Sequence, residues 1–256
     1  MLLAIDIGNS HTLVGVFRDE ELVHHWRLST DVGRSSDELA LAYSGLLGFA
    51  GLDFSHNVHG VVISSVVPSV TETYRQMMAD YFPFPAVVVE PGVRTGIPLR
   101  YENPREIGAD RIANAVAAEA IYGGPAIVVD FGTSTNFDAI GGGGEFLGGV
   151  IAPGVHTSTE ALVSRAARLP NVETAVPPTA IGRTTTQALQ AGIVFGFAGQ
   201  VDAIVNRMTA ELGPDVTTVS TGSLAEVVRR TCTTLDHHDP WLTLKGLRII
   251  WDRNTG

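Results

Sequence analysis

The chain has 256 residues, of which 45% are hydrophobic and 17% are charged, and its formal net charge is -10. This composition allows a large core and argues against disorder, because disordered segments are poor in apolar residues. The acidic balance argues against nonspecific nucleic-acid binding, which needs clustered lysine and arginine. The single cysteine, Cys232, excludes an intrachain disulfide and a thiolate metal cluster, and it fits a reducing compartment.

The first residues do not resemble a secretory signal. No basic region precedes the first apolar run, and Asp6 interrupts that run directly after Ile5. No uninterrupted apolar stretch approaches the roughly 20 residues that span a bilayer. We therefore expect a soluble, cytoplasmic protein with no membrane partner.

The first part of the chain predicts a mixed sheet. Strands are predicted at residues 2–6, 12–18, 22–28, 58–67 and 86–89. Helices are predicted at 37–49, with Ser35 or Ser36 as N-cap, and at 70–81. The order βββαβαβ places helices against a mixed sheet. Residues 91–104 contain Pro and Gly and predict an irregular connection.

An alanine-rich helix is predicted from about residue 108 to Tyr122, and the second part of the chain then repeats the plan of the first. Strands are predicted at 126–130, 136–140, 145–151 and 216–221, with a hairpin turn at 141–144 and another turn at 222–223. Helices are predicted at 156–168, at 185–212 with a break near 196–199, at 224–232 and after Pro240. We expect two related halves, residues 1–115 and 116–256.

Two acidic turns dominate the pattern. Asp6 and Asp130 each end a buried strand, and Gly8 and Gly132 follow two residues later, before small hydroxyl residues. A poorly solvated carboxylate needs a cation or several N–H donors, and glycine lets the backbone approach a phosphate. The alternative is a strand that merely ends in a turn-forming Asp. Two matching copies favour one nucleotide held between the halves.

A third candidate is Gly108-Ala109-Asp110-Arg111 at the start of the alanine-rich helix. Asp110 would lie in the first turn, where the helix dipole favours a carboxylate, and Arg111 could bind a substrate carboxylate through two hydrogen bonds. The alternative is a first-turn Asp beside a solvent-facing Arg. The adjacent pairs His24-His25 and His237-His238 do not favour a metal site, because neighbouring side chains point in different directions.

Other nucleotide and hydrolase motifs are missing from the sequence. It contains no GxxxxGK[ST] phosphate loop, no GxSxG elbow and no HExxH. The two acidic turns and the segment at residues 108–111 therefore carry the prediction of function.

At these residues the sequence resembles the type III pantothenate kinases, and the resemblance runs nearly from end to end. Asp6-Ile7-Gly8-Asn9-Ser10 is similar to the family's DxGNT motif, and residues 108–111 match its GADR motif. The segment 130–136 is similar to its DxGTATx motif. Segments 151–154, 181–185 and 239–247 also resemble family sequence. The implied fold is α/β, with two ribonuclease H-like halves of mixed β-sheet flanked by helices, in the actin-like ATPase superfamily.

The resemblance implies ATP-dependent phosphorylation of pantothenate, the first step towards coenzyme A, with Asp110 as the general base. Asp6 would face Mg²⁺ and the phosphates, and Asp130 would bind a monovalent cation, K⁺ or NH₄⁺. The implied ATP-binding residues are Asp6, Ile7, Gly8, Asn9, Ser10, His11, Thr12, Leu13, Gly132 and Thr133. The implied pantothenate-binding residues are Tyr101, Gly108, Ala109, Asp110, Arg111 and Thr185. The family is homodimeric, so Thr185 would serve the partner's site.

Three positions depart from the family pattern. Ser10 replaces the usual Thr and keeps the hydroxyl, Ser134 replaces a small Ala, and Ser223 stands where a second Gly is common, on the adenosine side. Two alternatives stay open: a catalytically inactive member acting as a regulatory accessory factor, and a kinase of another small molecule. Two phosphate motifs together with GADR favour the pantothenate kinase.

Overall fold

The computed structural model describes residues 1–166, 169–222 and 225–256. Contacts divide the chain into two compact units. The first comprises residues 1–97, 102–117 and 242–256, and the second comprises 98–101 and 118–241. The predicted boundary at 115 and 116 lies near this division, but the C-terminal helix, which the prediction placed in the second half, belongs to the first unit.

The first unit contains a five-stranded mixed sheet. Its strands are β1 (Leu2–Ile7), β2 (His11–Arg18), β3 (Glu21–Ser29), β4 (Gly60–Ser65) and β5 (Val87–Val88). The sheet order is β3-β2-β1-β4-β5, with β1 antiparallel to β2 and parallel to β4. Its helices are α1 (Ser36–Phe49), α2 (Phe54–Asn57), α3 (Pro68–Tyr81) and a 3-10 turn (Pro104–Glu106).

Helix α4 (Ala109–Tyr122) runs from the first unit into the second. The second unit has strands β6 (Ala126–Phe131), β7 (Ser134–Ile140), β8 (Phe146–Pro153), β9 (Thr217–Gly222) and β10 (His237–His238). Its helices are α5 (Val155–Arg165), α6 (Thr185–Leu212) and α7 (Ala225–Arg229). Helix α8 (Leu242–Thr255) returns to the first unit.

The two sheets have the same plan. The second is ordered β8-β7-β6-β9-β10, with β6 antiparallel to β7 and parallel to β9, so β6 corresponds to β1. The registers also correspond, because Asp6 lies beside Ser64 and Asp130 lies beside Thr221. The predicted repeat of two mixed-sheet halves is therefore confirmed at the level of topology.

Local signals explain several element boundaries. Ser35 caps α1 in a reciprocal capping box with Glu38, as the sequence predicted, and Pro68 occupies the first turn of α3. The glycines at 141–144 form the predicted hairpin turn, in which Gly141 N–H donates to the Glu145 carbonyl at 2.8 Å. The two-residue strands β5 and β10 are formed by pairing with a longer neighbour, and only the first of them was predicted.

The predicted break in helix α6 is wrong. The helix is continuous over Thr185–Leu212, because its buried face, including Ile193, Val201 and Val205, packs into the core of the second unit. Packing of that face outweighs the roughly 1 kcal/mol that each interior glycine costs. By length and composition alone α6 could cross a membrane, and 33% of its most apolar window is buried inside the protein.

Cys232 lies half-buried against the core of the second unit. Burial raises the pKa of its thiol to about 12, and the charge of Asp202 contributes. Since the thiolate is the reactive form, we expect the native protein to resist a disulfide reagent at pH 8 and to react promptly once unfolded. Rapid labelling of the native protein would contradict this environment for the thiol.

Candidate active site

The first acidic turn follows strand β1. Asp6 is half-buried, and Ser64 Oγ, on the neighbouring parallel strand, donates a hydrogen bond to Asp6 Oδ1 at 2.5 Å. Ser64 is fully buried, so this bond fixes one carboxylate oxygen within the protein. The carboxylate is an oxygen ligand of the kind that Mg²⁺ prefers.

The turn between β1 and β2 is held closed by three hydrogen bonds. Gly8 N–H donates to the His11 carbonyl at 3.0 Å, and the Thr30 hydroxyl donates to the Gly8 carbonyl at 2.7 Å. Thr30 N–H also donates to the Ser10 carbonyl at 3.0 Å. Asn9, Ser10 and His11 are exposed. The turn therefore presents residues 9–11 to solvent, where an anion can reach them.

Three predicted ATP-binding residues differ from these exposed ones. Ile7 and Thr12 are buried, and Leu13 is half-buried within strand β2. The Thr12 hydroxyl lies 3.0 Å from the Thr30 hydroxyl, which places it behind the turn. These side chains shape the turn from inside the first unit.

The GADR segment opens helix α4 in the same unit. Burial raises the pKa of Asp110, against the opposing effects of the Arg111 N–H, which donates to Asp110 Oδ1 at 2.8 Å, and the Arg111 charge. Arg111 is only 6% exposed, which excludes the alternative of a solvent-facing arginine. Ala109 is buried as well. A carboxylate with a raised pKa beside a buried guanidinium is typical of an active site.

Val66 connects GADR to the first turn. Its N–H donates to the Ile7 carbonyl at 3.1 Å, extending the pairing of β4 with β1. Its Cγ1 lies 3.4 Å from the position that a Cβ on Gly108 would occupy. A Cβ there would also lie 2.4 Å from Asp110 Oδ1, so any larger residue would displace the Asp110 carboxylate. The structure thus brings the first turn and GADR together.

The second acidic turn follows strand β6. Gly132 N–H donates to the Ser134 carbonyl at 2.9 Å. A Cβ on Gly222, at the end of the parallel strand β9, would lie 2.5 Å from the Phe131 carbonyl oxygen and 2.7 Å from Asp130 Oδ1. A carbonyl and a carboxylate oxygen therefore converge on a space that the absent side chain leaves open. Such an oxygen pair suits a hard cation.

The start of helix α5 holds the second turn. Gly154 N–H donates to the Thr133 carbonyl at 3.2 Å, and the Thr157 hydroxyl donates to the same oxygen at 2.8 Å. A Cβ on Gly154 would lie 2.6 Å from the Gly132 carbonyl oxygen, so the helix start approaches the turn closely. Thr157 fixes the orientation of Thr133, as Thr30 fixes that of Gly8.

The remaining predicted residues lie elsewhere in the second unit. Tyr101 packs against Phe146, with ring centroids 6.1 Å apart, and Thr185 is the exposed first residue of α6. Ser223, the departure on the adenosine side, lies outside the described residues. Within the described parts of the chain, no group of three or more His, Cys, Asp or Glu side chains is arranged to hold a metal ion.

Ser64, Thr30, Thr157 and Val66 were missed by the sequence analysis. Each lies far along the chain from the turn that it supports, and small hydroxyl residues occur throughout the sequence. Only the strand register and the fold bring them to the turns. The sequence pattern held no signal that would have selected them.

Comparison with known proteins places the chain in a family. The family model for type III pantothenate kinase matches residues 2–207. A type III pantothenate kinase from Acidothermus cellulolyticus is 55% identical over 255 residues, covering 99% of both chains. The chain belongs to the type III pantothenate kinase family. A family relative from Streptomyces avermitilis is 52% identical over 261 residues, covering 99% of this chain and 98% of the relative.

Solved structures support the fold. A Campylobacter jejuni protein described as a Baf family transcriptional activator superposes with a TM-score of 0.63 at 20% identity and covers 98% of both chains. At that identity the likeness concerns the fold alone. The predicted pair of mixed sheets flanked by helices is confirmed for this type III pantothenate kinase family member.

Proposed function

We propose that this chain transfers the γ-phosphoryl group of ATP to the primary hydroxyl of pantothenate, giving 4'-phosphopantothenate. The observation that carries the proposal is the half-buried Asp110 carboxylate at the start of α4, whose neighbour Gly108 approaches Val66 of the first acidic turn's sheet. Membership of the type III pantothenate kinase family is the basis for proposing pantothenate as the substrate. Phosphoryl transfer needs positioning and charge neutralisation more than covalent participation by the protein.

In this proposal Asp110 accepts the proton of the attacking hydroxyl. A base with a raised pKa is closer to the pKa range in which proton transfer near neutral pH is efficient. Arg111 supplies positive charge for the substrate carboxylate, and its burial strengthens that attraction. The family resemblance also assigns Gly108, Ala109, Tyr101 and Thr185 to pantothenate binding.

The two turns would hold the phosphates. The exposed residues 9–11 would bind them at the first turn, together with the backbone of Gly8, and Gly132 and Thr133 would bind them at the second. Asp6 fits the role of a Mg²⁺ ligand, and Asp130 with the Phe131 carbonyl fits that of a K⁺ or NH₄⁺ ligand pair. Bound cations would neutralise phosphate charge.

Asp130→Ala tests the monovalent cation assignment. We expect the variant to lose most of the stimulation of kcat by K⁺, because the carboxylate oxygen beside Gly222 is removed. The measurement is turnover at constant ionic strength with K⁺ exchanged for a large organic cation. Asp202→Ala, which removes a half-buried carboxylate in the same unit, is the control, and an unchanged K⁺ response in Asp130→Ala would contradict the assignment.

We also propose a homodimer. Edge strand β8 exposes Leu147, Val150 and Ile151, and α6 exposes glycines at 192, 196 and 199. Apolar edge residues and small helical residues permit close packing of a second copy. Light scattering at micromolar concentration should give twice the chain mass, whereas a monomer at all concentrations would exclude a role for Thr185 in a partner's site.

The deciding experiment is a coupled assay that measures ADP formed from ATP and pantothenate with Mg²⁺, with and without K⁺. We expect pantothenate-dependent ADP release that K⁺ stimulates. Mass spectrometry of the product should show one added phosphoryl group. Absence of turnover with both cations would instead favour the regulatory accessory factor, and turnover only with another hydroxyl compound would favour the other small-molecule kinase.

A further inference from the structure

A chain of four hydroxyl groups runs through the first unit and ends at the first acidic turn. Tyr43 Oη and Tyr74 Oη are 3.0 Å apart, and the Thr12 side chain acts on the pKa of Tyr74 as a hydrogen-bonding neighbour. The Thr12 and Thr30 hydroxyl oxygens are 3.0 Å apart, and Thr30 donates to the Gly8 carbonyl at 2.7 Å. The chain thus links α1, α3 and β2 to the residue that opens the turn.

The direction of every bond in this chain follows from counting protons. The Gly8 carbonyl can only accept, so the one hydroxyl proton of Thr30 is committed to it. Thr12 must then donate to Thr30, Tyr74 to Thr12, and Tyr43 to Tyr74. Aligned hydroxyl dipoles of this kind strengthen one another, because each donor is polarised by the bond that it accepts.

Most of this chain of hydroxyl groups is inaccessible to water. Tyr43 is 0% exposed, Thr12 1% and Tyr74 2%, while Thr30 at the end of the chain is half-buried. Burial raises the pKa of both phenols, so both remain protonated and able to donate. Water cannot replace a lost link, and a deletion leaves a buried group without its partner.

Thr30 closes the turn at both ends. Its hydroxyl donates to the Gly8 carbonyl and its N–H donates to the Ser10 carbonyl. Residues 8–10 are therefore fixed by a single residue, Thr30, which directly follows β3. The exposed part of the turn is the part assigned to phosphate. Its shape therefore depends on a donor that does not itself need to contact the nucleotide.

We propose that Thr30 is a positioning residue for nucleotide binding, and that the chain from Tyr43 through Tyr74 and Thr12 holds its hydroxyl in the donating orientation. The proposal rests on the proposed function, since it assigns the first turn to the phosphates of ATP. The influence of each hydroxyl group on the turn should fall with its distance from Gly8. Removal of a hydroxyl group should therefore raise the KM for ATP most at Thr30, less at Tyr74 and least at Tyr43.

The test compares Thr30→Val, Thr30→Ser, Tyr74→Phe and Tyr43→Phe. We expect Thr30→Val to raise the KM for ATP about tenfold, the size of effect expected when a carbonyl loses its donor, with the KM for pantothenate unchanged. Thr30→Ser should stay within about twofold of the wild type, since it keeps the hydroxyl. Tyr74→Phe should show an intermediate effect, and Tyr43→Phe the smallest.

A purely structural role predicts the opposite order. The Tm should then be lowered most by the substitutions at the buried Tyr43 and Tyr74 and least by the substitution at Thr30. The increase in the KM for ATP would follow the loss of stability. Equal KM values for ATP in Thr30→Val and the wild type, or equal impairment of Thr30→Ser and Thr30→Val, would overturn the proposal.

Titration calorimetry with Mg·ADP separates the two proposals. If the wild type binds Mg·ADP but does not phosphorylate pantothenate, the proposed function fails while the affinity ratio of Thr30→Val to wild type still tests the positioning role. A Kd for Mg·ADP about tenfold weaker in Thr30→Val supports that role. No Mg·ADP binding by the wild type would overturn both proposals.

Discussion

Asp110→Asn is expected to lower pantothenate turnover by about 10²- to 10⁴-fold, the usual contribution of a general base, while leaving the KM for ATP within about twofold. Asparagine has nearly the same shape and cannot take up the proton. In the wild type, kcat/KM should fall as the pH drops through the raised pKa of Asp110, because the protonated carboxyl is no longer a base. The residual activity of the variant should lack this acidic limb.

The same substitution should stabilise the protein at neutral pH. A carboxyl whose pKa is raised by folding favours the folded state fully below its unfolded pKa, and that contribution is lost as the pH rises through the folded pKa. Above the folded pKa the half-buried Asp110 carboxylate therefore costs stability, and asparagine removes that cost. We expect the Tm to rise at neutral pH and the rise to shrink as the pH is lowered.

Asp37→Asn is the matched control. Asp37 occupies the corresponding second position of helix α1, but its side chain is exposed. It shares the favourable interaction with a helix N-terminus and lacks the burial. The control should keep full activity and gain no stability. Activity of Asp110→Asn near that of the wild type would show that another group accepts the proton.

Gly222→Ala is expected to abolish K⁺ stimulation and to lower kcat about tenfold or more, because the added methyl group would occupy the space between the Phe131 carbonyl and Asp130 Oδ1. Gly222 also has a φ of 92°, which disfavours any residue with a Cβ. Two effects are therefore combined in one substitution: backbone strain, and loss of the space that we propose for the monovalent cation. The measurement is kcat as a function of K⁺, together with thermal unfolding.

Gly213→Ala separates these two effects. Gly213 has a φ of 108°, but no atom lies within 4 Å of the position its Cβ would take. Both variants should lose stability through strain, of about 1 to 3 kcal/mol. Only Gly222→Ala should lose the K⁺ response. If both variants respond to K⁺ like the wild type, the oxygen pair at Gly222 does not bind the cation.

The acidic turns could be predicted from sequence because their information is local. An apolar β-branched run that ends in Asp, with Gly two residues later, specifies a buried strand and a tight turn within nine residues. The topology of each sheet followed from the repetition of that plan. GADR could be predicted for the same reason. The burial of Arg111, which excluded the alternative of a solvent-facing arginine, could be seen only in the folded structure.

The supporting residues could not be predicted because their information is tertiary. Ser64 reaches Asp6 only through the register of two strands that are 58 positions apart, and Thr30 reaches Gly8 across 22 positions. The wrongly predicted break in helix α6 has the same cause. The glycines near residues 196–199 predicted a break in the helix, whereas the packing of Ile193 and Val201 that keeps the helix continuous is visible only in the folded unit.

Helix α8 also has a consequence for how the chain is made. Its Gly246 lies against the backbone of Ala113 so closely that a Cβ would overlap it, and Thr243 donates to Asn114 at 2.8 Å. Both partners belong to the helix that begins at GADR. The unit that carries Asp110 therefore remains incomplete on the ribosome until residues 242–256 have emerged, while the described strands of the other unit, which end at His238, are already available. In this order of synthesis, the packing around the helix that begins at GADR is completed later than the sheet of the other unit.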